Sequence, residues 1–167
     1  MLRSNVEEKS LVPQVLVVGM SPQGDEFARQ VSDLPDPLKR VLFAETLAGN
    51  RPSAQTAPID MVCFVVSMQS KLSFERFRQS VDSISPEEQA FFLLGRWAVV
   101  VLDSLDQGKF ALTLDEVEAF GLGRGIPIVF VSQSTNKLAM QSAAKRVLVM
   151  SKRAARHGQI SPLFSQC

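Results

Sequence analysis

Gly19-Met20-Ser21-Pro22-Gln23-Gly24-Asp25-Glu26 carries the spacing of a phosphate-binding loop, G-x-x-x-x-G-K-[ST], with its last two positions exchanged. In a working loop the Lys meets the β- and γ-phosphates and the hydroxyl holds Mg²⁺. Here the Lys position holds Asp25 and the hydroxyl position holds Glu26. At ~4 Å and an effective dielectric near ~20, two unit charges interact by about 4 kcal/mol. Exchanging the cation for an anion turns that attraction into repulsion. As plain structure, Asp25 and Glu26 read as first-turn acids of a helix, favoured there by the helix dipole. Other reactive chemistry is sparse. His157 is the sole histidine, and no Ser-His-Asp or Cys-His set suggests a nucleophile with its base. With no close cysteine pair either, no metal-ligand cluster is expected. Cys63 lies inside an apolar run and reads as a small core residue, and Cys167 ends the chain without a C-a-a-X box.

The elements that must position this loop are legible as apolar runs. Val15-Leu16-Val17-Val18, Met61-Val62-Cys63-Phe64-Val65-Val66, Trp97-Ala98-Val99-Val100-Val101-Leu102 and Ile128-Val129-Phe130-Val131 are continuous rather than alternating. That pattern marks strands buried on both faces, as in a parallel sheet. Arg40-Val41-Leu42-Phe43-Ala44 is a weaker strand candidate. Between them the spacing turns helical. Phe27, Val31 and Leu34 follow the first run; Phe74, Phe77, Val81 and Ile84 follow the second, with Ser73 as the expected N-cap. Ser85-Pro86-Glu87-Glu88 and Thr113-Leu114-Asp115-Glu116 read as capping boxes, the first opening a short helix from Gln89 to Leu94. Leu138, Ala144, Val147, Leu148 and Ser151 mark the inner face of a last helix. Lys152, Arg153 and Arg156 stand in its final turns and Gly158 is its expected C-cap. Alternating βα units predict a doubly wound α/β sheet, mostly parallel, with helices on both faces. The expected division is a flexible N-terminus (1–12), one domain (13–158) and an apolar tail (159–167).

Composition narrows the classes. Of 167 residues 46 % are hydrophobic and 21 % charged, which supports a packed core and argues against disorder. The net charge of +1 gives the chain as a whole no pull toward nucleic acid or an acidic membrane. No apolar run approaches the ~20 residues of a spanning helix, and the N-terminus lacks a signal-peptide core, so a cytosolic or nuclear protein is expected.

The order of these elements resembles a small GTPase (Ras-like) domain over nearly the whole chain. Such a domain carries Asn-Lys-x-Asp after the strand matching Trp97–Leu102; here the loop reads Asp103-Ser104-Leu105-Asp106, and only Asp106 matches. Ser132-Gln133-Ser134 stands where the family has Ser-Ala-Lys, with Ser134 or Thr135 equally readable as a helix cap. The fourteen residues from Glu45 to Pro58 are too few for both a strand with Asp-x-x-Gly and a switch helix, so the switch elements are expected to be missing. Thr46 has no Lys or Asp partner to serve as a switch threonine.

A narrower resemblance lies in Ile59-Asp60-Met61-Val62-Cys63-Phe64-Val65-Val66-Ser67-Met68-Gln69-Ser70-Lys71-Leu72-Ser73, in Phe91-Phe92-Leu93-Leu94-Gly95 and in His157-Gly158-Gln159-Ile160-Ser161-Pro162-Leu163. These segments are similar to the centromere protein M family. The departures are a lengthened stretch around 83–88 and an end at Cys167. The resemblance implies a non-enzymatic pseudo-GTPase of the inner kinetochore, in the nucleus, with no nucleotide, cofactor, metal or membrane. It implies docking on centromere protein I alongside centromere proteins H and K, with DNA met only through that assembly. It also makes Leu94 and Leu163 the expected partner contacts, with Phe91, Phe92 and Ile160 beside them. Read from the residues alone, Phe91 to Leu94 are either core or an exposed patch of the interface kind. Two other readings stay open: an atypical GTPase binding through backbone amides and Asp106, and a pseudo-GTPase adaptor in trafficking. Lys145, Arg146, Lys152, Arg153 and Arg156 read as a solvated face or, more sharply, as a DNA contact within a larger assembly.

Overall fold

The structure, a computed structural model, describes residues 12–36, 39–47, 59–85, 96–103, 113–132 and 136–158. Five strands form one sheet: β1 (Gln14–Gly19), β2 (Arg40–Ala44), β3 (Met61–Ser67), β4 (Trp97–Leu102) and β5 (Ile128–Val131). Their order is β2-β1-β3-β4-β5 and every pairing is parallel, where the sequence predicts a mostly parallel sheet. The weak candidate at 40–44 is a true strand, pairing Val15 with Val41 and Val17 with Phe43.

Four helices surround the sheet among the described residues: α1 (Gln23–Ser32), α2 (Lys71–Asp82), α3 (Leu114–Gly123) and α4 (Lys137–Gly158). The strands are apolar throughout because successive side chains enter two different cores. Val15, Val17, Cys63, Val65, Val100 and Val131 face α1 and α4. Leu16, Val18, Phe64, Val66, Val99 and Val101 face α2 and α3. The first core is almost wholly aliphatic. The second holds an aromatic cluster in which Phe77 lies 5.0 Å from Phe64 and 5.3 Å from Phe120. Arg124 covers the Phe120 ring at 3.8 Å and pairs with Asp82 at 2.7 Å, which fastens α3 to α2. Cys63 is buried in the first core, and burial pushes its thiol far above its ordinary pKa.

Local signals set most helix ends. Thr113 and Glu116 form the expected capping box, and the Thr113 N–H and hydroxyl hold the Glu116 carboxyl below its usual range. The cap of α2 differs from expectation. Ser70, in extended conformation, accepts from the Ser73 N–H at 3.1 Å, so Ser73 lies inside the helix. At the start of α4 the Asn136 carboxamide accepts from the Leu138 N–H at 3.0 Å. The helix is unbroken from there, so Leu138, six residues before Ala144, falls outward, 74 % exposed, instead of on the inner face. Met140, Ala143, Ala144, Val147, Leu148 and Ser151 form the inner face. The helix runs through Gly158, the expected stop. Glu45, Thr46 and Leu47 follow β2 outside any strand, and the remainder of the segment read as lacking switch elements lies outside the described residues.

Candidate functional site

The strand order locates the site before any residue is inspected. From β1 the chain moves to one side to build β2, then crosses to the other side of β1 to build β3. In open parallel sheets ligands bind where the order reverses, outside the carboxyl ends of the strands. Here that place is the junction of β1 and β3. A crevice of about 230 Å³ opens there, lined by Met20, Ser21, Pro22 and Gln23 after β1, by Val65 and Ser67 at the end of β3, and by Ser70 and Ser73 beyond it.

The glycine turn occupies the predicted position, and its glycines have a packing reason. A Cβ on Gly24 would stand 2.9 Å from the carbonyl carbon of Gly19, 3.0 Å from its Cα and 3.0 Å from the Phe43 ring. A Cβ on Gly19 would meet the Cβ of Val65 at 3.0 Å and its carbonyl oxygen at 3.1 Å. The two glycines let α1 and the end of β1 touch backbone to backbone. The amides of the turn are partly engaged. Gly24 N–H donates to the Met20 carbonyl at 2.8 Å, Glu26 N–H donates to the Pro22 carbonyl at 2.9 Å, and Pro22 has no N–H to offer. The Ser21–Pro22 peptide is cis.

The carboxylates lie where a helix wants them, not where a phosphate would. Asp25 and Glu26 are in the first turn of α1. Asp25 pairs with Arg29 one turn along at 3.0 Å, and neither acid lines the crevice. The first-turn reading of the sequence therefore describes these acids, and the reading in which a carboxylate faces the phosphate position is corrected. The crevice is lined by neutral residues, Met20, Pro22, Gln23 and Val65 together with four serines.

Sequence reasoning missed those hydroxyls, although the signal was present as serines at intervals of three, Ser67, Ser70 and Ser73. They fasten the turn between β3 and α2. The Ser67 N–H donates to the Ser73 hydroxyl at 2.9 Å, and that hydroxyl lies 3.1 Å from the Ser70 carbonyl and 3.3 Å from the Ser67 carbonyl. The Gln69 N–H donates to the Ser67 hydroxyl at 3.3 Å. A narrow cleft of about 10 Å³, room for a single water, opens beside Gly19 and contains Glu45 and Arg76 together. Arg76 does not line the larger crevice.

Asp103 follows β4 and donates its N–H to the Val131 carbonyl at 3.0 Å. Its buried Oδ1 has no hydrogen-bond partner among the described residues. Asp106, Phe91, Phe92, Leu94, Ile160 and Leu163 lie outside the described residues. At the far, amino end of the same strands Asp60 accepts from the Gln14 N–H at 2.8 Å. Burial raises the Asp60 carboxyl above its usual range, against the opposing pull of that N–H and of the Arg96 charge.

A family model described as Centromere protein M (CENP-M) matches residues 38–167, which leaves β1 and the glycine turn outside the match. No curated protein matches the chain.

Proposed function

The chain belongs to the centromere protein M family, whose place is the centromere and kinetochore, and from that premise we propose that it is a non-enzymatic structural subunit of the inner kinetochore. In this reading it resides in the nucleus and binds and stabilises centromere protein I together with centromere proteins H and K. The observation that carries the non-enzymatic part is the state of the crevice. Nucleoside triphosphates need a cation at the β- and γ-phosphates and a hydroxyl or carboxylate on Mg²⁺. This crevice is lined by Ser, Met, Pro, Gln and Val side chains; neither adjoining acid lines it, and Asp25 is paired with Arg29 along α1. A phosphate placed there would lose its water and gain no opposite charge.

Two measurements test the reading. A fluorescent guanine nucleotide with Mg²⁺, titrated in the micromolar range, should show no saturable binding. Binding displaced by unlabelled GTP would overturn the non-enzymatic assignment. Co-expression with centromere proteins I, H and K should give a stoichiometric complex. Leu94→Asp with Leu163→Asp should remove this chain from it and leave its own melting temperature within a few degrees. A complex indifferent to both changes would sink the assigned contacts.

A further inference from the structure

The charge of this chain is segregated, and its near-neutral total hides that. Six of the eighteen Lys and Arg residues lie on α4, and none of the seventeen acids does. The rest of the chain therefore carries about five net negative charges. Lys152 is engaged inward with Asp36. Lys145, Arg146, Arg153 and Arg156 are exposed, and none makes an ion pair among the described residues. The neighbouring helix α1 has its own cation, Arg29, already on Asp25.

Helix stability does not account for this. The dipole favours cations only in the last turn, which covers Arg156 but leaves Arg153 a turn further in and Lys145 and Arg146 mid-helix. Cations three or four residues apart on one face repel, and Ser142 and Val149 occupy positions where a Glu would relieve them. At 1.5 Å per residue the four cations span roughly 16 Å along a straight rod.

We propose that the outer face of α4 contacts the phosphate backbone of duplex DNA directly. Duplex DNA carries one charge per ~1.7 Å of axis, so a rod of this length lies against several phosphates at once. A protein partner draws its affinity from a desolvated apolar centre depleted of charge, and this face offers only two aliphatic side chains far apart along the helix, Val149 and, near its start, Leu138. A bilayer needs an apolar helix face to insert, and the apolar face of α4 is already packed through Met140, Ala144, Val147 and Leu148. The sequence reading had DNA met only through the assembly; this contact is direct, and it is independent of the proposed partners.

The test uses the full chain and a fluorescently labelled 30-base-pair duplex of mixed sequence, read by anisotropy. With four phosphates neutralised, log K should fall against log[salt] with a slope near −3.6, roughly 150-fold between 50 and 200 mM KCl. Lys145→Gln or Arg146→Gln alone should reduce that slope by about one. The quadruple charge reversal K145E/R146E/R153E/R156E should abolish binding, while R146K/R153K/R156K should retain it, with circular dichroism melts confirming that both fold. If the reversal does not fold, the four Gln substitutions replace it. Lys71→Glu, on the opposite side of the sheet, should change nothing. The proposal fails if there is no binding at 50 mM salt, or if binding survives the charge change. It fails equally if phosphatidylserine vesicles or poly-glutamate compete with the duplex better than unlabelled duplex does.

Discussion

The crevice at β1 and β3 and the outer face of α4 are opposites built on one sheet. The crevice has the topology, the glycines and the helix start of a phosphate site, and it has no opposite charge to offer. The face of α4 has four exposed cations with no ion pair among the described residues, and it lines neither the crevice nor the narrow cleft beside it. Shape and charge, which a nucleotide site must combine, are here on different surfaces. The difference teaches that the two parts of a binding motif are held by different forces. Glycine is held by packing: the Gly19–Gly24 contact would remain necessary with no ligand. Charge is held only by what it meets, because a surface cation contributes little to stability by itself.

The comparison breaks first at the glycines. Gly24→Val places a branched side chain against backbone at 2.9 Å, where little can yield. It should cost ~3 kcal/mol or more. For a domain of this size that is on the order of a 6–12 °C fall in melting temperature. A variant melting within 2 °C of the parent would show that the glycine spacing is not a packing requirement.

Next in size is Ser73→Ala, which removes the hydroxyl that accepts the Ser67 N–H and leaves that buried donor without it. The expected loss is about 1–3 kcal/mol in urea unfolding at unchanged m-value. A neutral result would mean that the crevice hydroxyls are available for a ligand after all.

The smallest effect is a control at the far end of the same strands. The Asp60 carboxyl is raised in the folded state, so its contribution favours folding below the unfolded value of 3.8 and is lost as pH rises through the folded value. Asp60→Asn keeps an acceptor for the Gln14 N–H and removes that loss. At pH 7 the variant should be as stable as the parent or a few tenths of a kcal/mol more so, screened by its partial exposure. The difference should close below pH 4. A variant clearly less stable at pH 7 would mean that the attraction to Arg96 outweighs the cost of burial.

Much of the fold was readable because burial on both faces writes itself as unbroken apolar runs. Val15 to Val18 and Trp97 to Leu102 need no further clue. β2 was fainter because an edge strand is only half covered, and Arg40 opens it exposed. The misreadings share a cause: periodicity gives spacing but not phase. Three serines at intervals of three made Ser73 as good a cap as Ser70, and backbone conformation at Ser70 decided it. Leu138 shares the apolar character of the inner face without its phase, standing six residues before Ala144 and so about 240° round a continuous helix. In the site, the loss of the Lys and hydroxyl was plain from Asp25 and Glu26. The direction of Asp25 has one trace in the sequence, Arg29 four residues on, which the loop motif obscures.

The back-to-back glycines have a consequence for descent. A contact that destabilises the fold when lost protects both residues from substitution long after the chemistry beside them has changed. Asp25 and Glu26, which only decorate a helix turn, have no such protection. The glycine half of the motif thus answers to architecture and the charged half to use, and in this chain the two halves do not agree.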